Sequence, residues 1–165
     1  ESLDGEVVGS AELWQERPVL LMTASMTCPL ARKNLDGLER LRSKYGEIVD
    51  FRIVYLIEAH PDDVASPYRD EIWGTDLNRD AGVLRPQPTT METRQALAAE
   101  FSALPNCKVP VLTDRMDNRF WSWIGRASNV GLLVDADGTV LGRTGWFDEK
   151  RLDAELKRLV TAERR

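Results

Sequence analysis

Residues 19–35, VLLMTASMTCPLARKNL, decide the fold of this chain. The continuous apolar run at residues 19–22 predicts a short strand that is buried on both faces. Small and polar residues follow it up to Cys28. Pro29 then suits the first position of a helix, because that position needs no backbone N–H. Apolar side chains recur at helical spacing beyond it, at Leu35, Leu38, Leu41 and Tyr45. Cys28 is therefore predicted at a strand-to-helix junction, where a helix begins.

A helix N-terminus favours the thiolate form of Cys28, because unpaired N–H groups and the helix dipole stabilise negative charge. The dipole contributes only about 0.3–1 kcal/mol, which is less than about one pKa unit. A nearby cation is therefore needed to ionise the thiol near neutral pH. Three arginines are candidates for stabilising the thiolate or binding a substrate: Arg32, Arg126 and Arg143. The alternative is that Cys28 is a small buried residue in a sharp turn.

Composition excludes several functional classes. The formal net charge of -5 argues against nucleic acid as a partner. No stretch approaches the length of an apolar membrane span, so we expect a soluble domain, in a compartment that the sequence does not identify. One histidine, His60, and two cysteines without neighbours at metal-ligand spacing argue against a metal site. The chain begins at Glu1 rather than Met, so a removed N-terminal signal or anchor is compatible with it.

After an irregular lead-in at residues 1–17, the chain predicts alternating strands and helices. β-branched and aromatic residues indicate buried strands at 48–57 and 109–113, and two short apolar runs around a turn ending in glycine indicate a hairpin at 131–142. The resulting order is β-α-β-α-β-α-β-β-α. It predicts a single α/β domain over residues 1–165, with three layers.

Two features lie between these strands. Residues 64–88 are polar, contain prolines and lack a clear period, and segments of this length are commonly functional or carry short helices. Thr89 and Glu92 have the spacing of a capping box and predict the start of a helix.

Cys28 and His60 each follow a predicted strand, and α/β sheets carry their working sites at the carboxyl ends of strands. We therefore expect the two residues at one site.

Three stretches resemble the iodothyronine deiodinase family and its bacterial relatives: SMTCP at residues 25–29, YLIEAHPDD at 55–63 and VPVLTDRMDN at 109–118. The similarity extends to Leu159 and covers most of the chain. The resemblance implies a thioredoxin-like three-layer fold of the peroxiredoxin-like branch, with a central mixed sheet and helices on both faces. It also implies that Cys28 stands where the family has selenocysteine or cysteine.

The sequence departs from the family at several positions. Cys28 in place of selenocysteine implies slower chemistry on an iodinated ring. Met26 stands where some members have a second cysteine, and Asn129 stands where thioredoxins have a cis-proline. Since His60 is the single histidine, the polar contacts that the vertebrate enzymes make to hormone are at best partly present. The substrate class therefore does not follow from the fold.

Cys28 is predicted to be the nucleophile, attacking a soft electrophile such as a ring halogen, a peroxide oxygen or a disulfide sulfur. His60 is the candidate proton donor to the leaving group, because its unperturbed pKa lies near neutrality. The alternative is a strand-end histidine bonded to a neighbouring carbonyl. Glu58 shares a strand face with His60 and is expected either to orient it or to be solvated.

Two further sets of residues have a chemical and a structural interpretation. Ser25 and Thr27 are candidate catalytic hydroxyls that hydrogen-bond the thiolate, or they cap the helix. Cys107 is a candidate resolving thiol, or a buried cysteine without a redox role. Spacing alone does not decide between these interpretations.

The main hypothesis is a thiol oxidoreductase of deiodinase-like type, which reductively dehalogenates an iodinated aromatic. The first alternative is peroxiredoxin-like peroxide reduction or thiol–disulfide exchange, and the second is a non-catalytic thioredoxin-fold binding or sensor domain. As an enzyme, the chain is expected to hold no bound cofactor and to act on a small-molecule electrophile. An external thiol (thioredoxin, glutathione or a similar reductant) would reset it. A homodimer is compatible with the sequence.

Overall fold

A computed structural model describes residues 1–9 and 11–163 of the chain. Its strands are β1 (Val19–Ala24), β2 (Asp50–Tyr55), β3 (Val111–Thr113), β4 (Gly131–Val134) and β5 (Val140–Thr144). Its helices are α1 (Pro29–Tyr45), α2 (Asp76–Asp80), α3 (Met91–Ser102), α4 (Arg119–Trp123) and α5 (Glu149–Glu163). The order agrees with the prediction, and α2 is an additional short helix within the segment at residues 64–88.

The strands form a mixed sheet in the order β3-β2-β1-β4-β5. β1 pairs in parallel with β2, and β2 pairs in parallel with β3, whereas β4 is antiparallel to both β1 and β5. All six residues of β1 are buried, because this strand lies at the centre of the sheet and is covered on both faces. The predicted central mixed sheet is confirmed.

Hydrophobic clusters cover both faces of the sheet. Leu20 and Met22 of β1 pack in a cluster that includes residues of α1, α3 and α5. Val19 and Leu21 pack in a second cluster with residues of α4, and Trp14 of the lead-in packs against it. Successive side chains of a strand point to opposite faces. The three-layer α/β arrangement is therefore confirmed, with three helices on one face and α4 on the other.

Helix α1 begins where the sequence predicts, with Pro29 in its first turn and Cys28 as the N-cap residue. The backbone of Cys28 is extended, with φ −87° and ψ 105°, so the chain turns from β1 into the helix at this residue. The predicted apolar face is buried, at Leu35, Leu38, Leu41 and Tyr45. Each fully buried leucine contributes about 1.5–3 kcal/mol. This packing fixes α1, and with it Cys28, against the sheet.

Several predicted boundaries differ from the structure, among them the start of α3 and the end of β2. The capping box of α3 is formed by Thr90 and Thr93 instead of Thr89 and Glu92. The N–H of Thr93 donates to the hydroxyl of Thr90, and the N–H of Thr90 donates to the hydroxyl of Thr93, both at 3.2 Å. A threonine hydroxyl thus replaces the longer glutamate side chain. β2 ends at Tyr55, because its pairing with β1 ends there.

The lead-in at residues 1–17 is more regular than predicted. Ser2 forms an antiparallel bridge with Leu112, and the N–H of Thr113 donates to the carbonyl of Glu1 at 2.7 Å. A 3-10 turn follows at Ala11–Leu13. The N-terminal residues therefore lie along β3 at the edge of the sheet. Among the described helices, none has the length and apolarity needed to cross a membrane.

Candidate active site

The loops that follow β1 and β2 are joined by side-chain hydroxyls. The N–H of Ala59 donates to Oγ of Ser25 at 3.3 Å, and the N–H of His60 donates to Oγ1 of Thr27 at 3.0 Å. Neither hydroxyl caps α1, whose N-cap is Cys28 and carries no side-chain cap bond. The predicted capping role of Ser25 and Thr27 is therefore wrong. Their hydroxyls fasten the two loops together instead.

Glu58 holds the residue before Cys28. It is 0% exposed, and its Oε2 accepts hydrogen bonds from the N–H of Thr27 at 2.8 Å and from the Thr27 hydroxyl at 2.6 Å. Its Oε1 accepts from the hydroxyl of Tyr55. Burial raises the pKa of Glu58, and the hydrogen bonds from Thr27 and Tyr55 oppose that rise. Both expectations for Glu58 are wrong, because the carboxylate is not solvated and its bonding partners are Thr27 and Tyr55 rather than the ring of His60.

The thiol of Cys28 lies inside the protein, 2% exposed, with its Sγ 3.7 Å from Oγ of Ser128. Burial raises the pKa of Cys28. The backbone N–H groups of Ala31 and Leu30, the Ser128 hydroxyl and the charge of Arg32 act in the opposite direction. The prediction of an ionised sulfur is wrong for this conformation, because desolvation of a buried thiolate outweighs the helix N-terminus and the arginine.

Arg32 is the predicted arginine that lies at the site. Its Nη2 donates to Oδ1 of Asn78 at 2.9 Å, and its Nη1 donates to the carbonyl of Met26. Nδ2 of Asn78 in turn donates to the carbonyl of Thr27 at 2.7 Å. Helix α2 is thereby bonded directly to the loop that carries Cys28. This contact explains why a polar side chain such as Asn78 is fully buried.

The other two candidate arginines are engaged around α4. Nη2 of Arg143 donates to the carbonyl of Ile124 at 2.6 Å. The guanidinium of Arg126 lies over the ring of Trp121, 5.5 Å from its centroid. Both side chains therefore hold the end of α4, and the charge that lowers the pKa of Cys28 is that of Arg32.

His60 is held by Trp73. Its Nδ1 lies 3.1 Å from the Trp73 carbonyl, and the two rings meet edge-on with centroids 4.2 Å apart. Burial lowers the pKa of His60, and the charges of Arg32 and Arg69 lower it further, against the hydrogen bond to Trp73. The imidazole is therefore neutral at pH 7, with Nδ1–H donating to the carbonyl and Nε2 unprotonated. The hydrogen bond to a carbonyl that the alternative interpretation expects is present, and the role of the ring in proton transfer stays a prediction.

Cys107 lies at the opposite end of the sheet from Cys28. It precedes the amino end of β3, whereas Cys28 follows the carboxyl end of β1, and β1, β2 and β3 are mutually parallel. A six-residue strand spans about 20 Å, and a disulfide needs Cα atoms within about 7 Å. Both cysteines are free. Direct resolution of Cys28 by Cys107 is therefore not compatible with this fold.

Three residues of the site were missed by the sequence analysis: Tyr55, Asn78 and Ser128. Tyr55 stands within the quoted YLIEAHPDD stretch, three residues before Glu58, and this spacing was a usable signal. Ser128 precedes the amino end of β4, and β4 is antiparallel to β1. Ser128 therefore lies at the same end of the sheet as Cys28, which follows the carboxyl end of β1.

Within residues 1–9 and 11–163, no group of three or more His, Cys, Asp or Glu side chains is placed to hold a metal ion.

The sequence profile of the iodothyronine deiodinase family matches residues 11–147, a range that includes Cys28, Glu58, His60 and Ser128. The chain belongs to the iodothyronine deiodinase family. Within the family it is 30% identical to type II iodothyronine deiodinase of Rattus norvegicus over 103 residues, which are 62% of this chain and 36% of the relative. It is 32% identical to thyroxine 5-deiodinase of Homo sapiens over 130 residues, 78% of this chain and 38% of the relative. This deiodinase-family chain thus spans little more than a third of the length of these relatives.

Solved structures similar to this deiodinase-family chain have thioredoxin-like folds. A thioredoxin-like protein from Aeropyrum pernix has a TM-score of 0.62 at 17% identity, covering 95% of this chain and 86% of that one. A secreted disulfide oxidoreductase of Mycobacterium tuberculosis has a TM-score of 0.56 at 15% identity, covering 95% and 92%. The thioredoxin-like fold implied by the family resemblance is confirmed.

Proposed function

We propose that this chain is a thiol-dependent oxidoreductase that uses Cys28 to remove iodine reductively from an iodinated aromatic compound. The observation that carries the proposal is the position of Cys28 as the N-cap of α1, within the residues that match the family. Backbone N–H groups of Leu30 and Ala31 act on its sulfur there. These N–H groups act against the effect of burial on the pKa of Cys28 and favour the negative charge that a nucleophilic sulfur carries.

The first step forms a bond between the Cys28 sulfur and iodine. Cys28 loses its proton, the thiolate attacks the iodine atom, and the carbon–iodine bond breaks. The ring carbon takes up a proton, which balances the one that the thiol lost. The products are the dehalogenated ring and a sulfenyl iodide on Cys28.

An external thiol then restores the enzyme. It attacks the Cys28 sulfur, releases iodide and a proton, and leaves a mixed disulfide. A second external thiol attacks this disulfide and frees the Cys28 thiol. In total, two thiols are oxidised to one disulfide, and the aryl iodide is reduced to the arene and hydrogen iodide. A small thiol such as glutathione, or a thioredoxin-type protein, has the chemistry required.

His60 enters this scheme as a neutral imidazole that first accepts a proton and then donates it, rather than as a preformed imidazolium. Its Nδ1 is committed to the Trp73 carbonyl, and burial disfavours the imidazolium. Unprotonated Nε2 is therefore the atom available for a proton. We propose that it receives the Cys28 proton and returns it to the ring carbon, so that one imidazole serves both transfers.

The test is a turnover assay with dithiothreitol as the reductant and iodinated phenols as substrates, with released iodide as the readout. We expect iodide release from the unmodified chain and from Cys107→Ser, and none from Cys28→Ser. Cys107→Ser is the matched control, because it removes the other cysteine at the far end of the sheet. Iodide release that persists in Cys28→Ser would overturn the proposal.

Peroxide reduction and disulfide exchange use the same sulfur and define two further arms of the assay. A hydroperoxide and a small disulfide are supplied in place of the iodinated phenol, under the same reductant. Cys28-dependent turnover confined to either of these substrates would replace dehalogenation as the function. Binding of a ligand that survives in Cys28→Ser, without turnover of any of the three, would assign the chain as a binding domain.

A further inference from the structure

A serine hydroxyl lies beside the Cys28 sulfur. Oγ of Ser128 is 3.7 Å from Cys28 Sγ, which is a hydrogen-bonding distance for sulfur. Both residues are buried, with Ser128 6% exposed and Cys28 2% exposed. The scheme proposed above gives this hydroxyl no role.

A sharp turn between α4 and β4 precedes Ser128. Gly125 and Arg126 both have a left-handed backbone, with φ of 87° and 56°. Such a φ costs little at glycine but is uncommon at other residues. The N–H of Arg126 donates to the Trp121 carbonyl at 2.8 Å, which closes the turn on α4. The chain therefore reverses here, and Ser128 follows at the entry to β4.

The residue after Ser128 fastens this segment to the elements that position the sulfur. Nδ2 of Asn129 donates to the Thr23 carbonyl at 2.9 Å, and Nδ2 of Asn34, on α1, donates to Oδ1 of Asn129 at 2.7 Å. Asn129 is fully buried. The segment of Ser128 is thus bonded both to β1 and to α1, between which Cys28 lies. The fold itself therefore places the hydroxyl against the sulfur.

We propose that Ser128 is a catalytic residue that hydrogen-bonds the Cys28 sulfur in both of its protonation states. A hydroxyl has one donor hydrogen and two acceptor lone pairs. With the thiol present, S–H donates to Ser128 Oγ. With the thiolate present, the hydroxyl rotates about its C–O bond and donates to the sulfur. Only hydrogen atoms move, so the exchange of roles needs no rearrangement of the buried site.

The same hydrogen bond acts again when the enzyme is restored, and this part rests on the proposed function. An external thiolate attacks the external sulfur of the mixed disulfide and forms the small disulfide. The bond to Cys28 breaks, and its sulfur leaves as a thiolate with both electrons of that bond. A sulfur leaves faster when its thiolate is more stable. Ser128, by donating to the departing sulfur, speeds the release of Cys28.

The surroundings of the sulfur explain why one neutral donor matters. The charged and titratable groups that act there are Arg32, from α1, and Tyr68, from the segment after β2. Burial raises the pKa of Cys28, and the Ser128 hydroxyl and the charge of Arg32 oppose that rise. Burial also raises the pKa of Tyr68 to about 12, so the phenol stays neutral up to strongly alkaline pH. Ser128 therefore offsets part of the cost of a buried thiolate without adding a charge.

The first test follows the ionisation of Cys28 through the ¹³C chemical shift of its labelled Cβ against pH. In a Cys107→Ser background Cys28 is the single cysteine, so the signal is unambiguous. A hydrogen bond to a charged group corresponds to about one to two pKa units. The contact to sulfur is long, so we expect Ser128→Ala to raise the Cys28 pKa by about one unit, a roughly tenfold loss of thiolate at fixed pH.

The second test measures the release of Cys28 from its mixed disulfide with glutathione. The mixed disulfide is reduced with excess dithiothreitol, and the appearance of the free Cys28 thiol is followed by mass spectrometry. We expect several-fold slower release in Ser128→Ala, because the departing thiolate is less stable there. An unchanged release rate would overturn the role of Ser128 in this second step.

Two variants serve as matched controls for Ser128→Ala. Ser128→Thr keeps the hydroxyl and should retain the unmodified Cys28 pKa and release rate. Thr144→Val removes another buried hydroxyl, which bonds the backbone of Gly131 rather than the sulfur, and should leave both quantities unchanged. Circular dichroism of each variant checks that it is folded.

Three outcomes of the titration would overturn the proposal: an unchanged Cys28 pKa in Ser128→Ala, or a shift as large as in Ser128→Ala in either Ser128→Thr or Thr144→Val. Neither test needs an iodinated substrate. The expected pKa shifts without iodide release from the unmodified chain would overturn dehalogenation and leave the hydrogen bond of Ser128 standing. Iodide release with an unchanged pKa in Ser128→Ala would do the reverse.

Discussion

Glu58 and Thr27 are joined by two hydrogen bonds to one carboxylate oxygen, from the Thr27 backbone N–H at 2.8 Å and from its hydroxyl at 2.6 Å. The pair connects the end of β2 to the residue before Cys28. Tyr55 donates to the other oxygen of the same carboxylate. Only donors surround this buried group, so the ionised form satisfies every partner. Glu58 is therefore a positioning residue for the Cys28 loop.

Replacement of Glu58 tests this role. Glu58→Gln keeps the volume but turns an NH₂ group towards the donors of Thr27 or Tyr55, which leaves buried polar groups unpaired. We expect a loss of about 1–3 kcal/mol in the free energy of unfolding, measured in urea. Glu6→Gln, at an exposed position, is the control and should change it by less than about 0.5 kcal/mol. A Glu58→Gln variant as stable as that control would contradict the assignment.

The raised pKa of Cys28 predicts alkaline activation. A free thiol ionises near about pH 8.5, so at neutral pH the buried sulfur is mainly protonated. We expect iodide release to increase with pH through this range and beyond, in step with thiolate absorbance at 240 nm in Cys107→Ser. A thiolate that forms below pH 7 would contradict the prediction. By linkage, the thiol form contributes stability below the unfolded pKa, and this contribution is lost as pH rises through the folded pKa.

The single histidine allows a direct test of the state of His60. Burial lowers its pKa, and its Nδ1 bonds the Trp73 carbonyl. We expect one imidazole signal set in long-range ¹H–¹⁵N spectra, with the Nδ1–H tautomer and a titration midpoint below about 6.5. The lowered pKa also means that the contribution of His60 to stability is present above the unfolded pKa and is lost as pH falls through the folded value. An Nε2–H tautomer or a midpoint above 6.5 would count against the proton-acceptor role.

The bond between Asn78 and the Cys28 loop predicts a variant with a more reactive thiol. Asn78→Ala removes the donor to the Thr27 carbonyl and the acceptor of Arg32. We expect several-fold faster modification of Cys28 by an aromatic disulfide reagent in a Cys107→Ser background, because the loop that carries Cys28 is no longer bonded to α2. Leu77→Ala, which changes the exposed neighbour in α2, is the matched control and should leave the rate unchanged. Equal rates in both variants would show that Asn78 does not restrict access.

The fold was predictable because its main signals are local. The signals that identify the junction at Cys28 are close together in the sequence. They are the apolar run of β1, Pro29, and the helical spacing of the leucines of α1. The sign of the Cys28 pKa was not predictable in this way. It depends on how completely distant segments cover the sulfur, among them the segment of Ser128, which is 100 residues away in the sequence.

The partners of the predicted site residues were hidden for related reasons. Glu58 meets Thr27 only because β1 and β2 pair in the register that aligns Ala24 with Tyr55. Trp73 reaches His60 from a segment without a period, and α2, with five residues, is too short to show one. Sequence reasoning therefore identified the candidate catalytic residues better than the residues that hold them in place.

The pairing of the N-terminal residues with β3 protects an edge of the sheet. Ser2 and Glu1 occupy the outer side of Leu112 and Thr113, and Pro110, just before them, has no N–H to offer. Open strand edges are templates for strand addition and aggregation, and natural proteins block them with short strands, prolines or covering segments. Growth of the sheet across β3 into a second copy is therefore disfavoured.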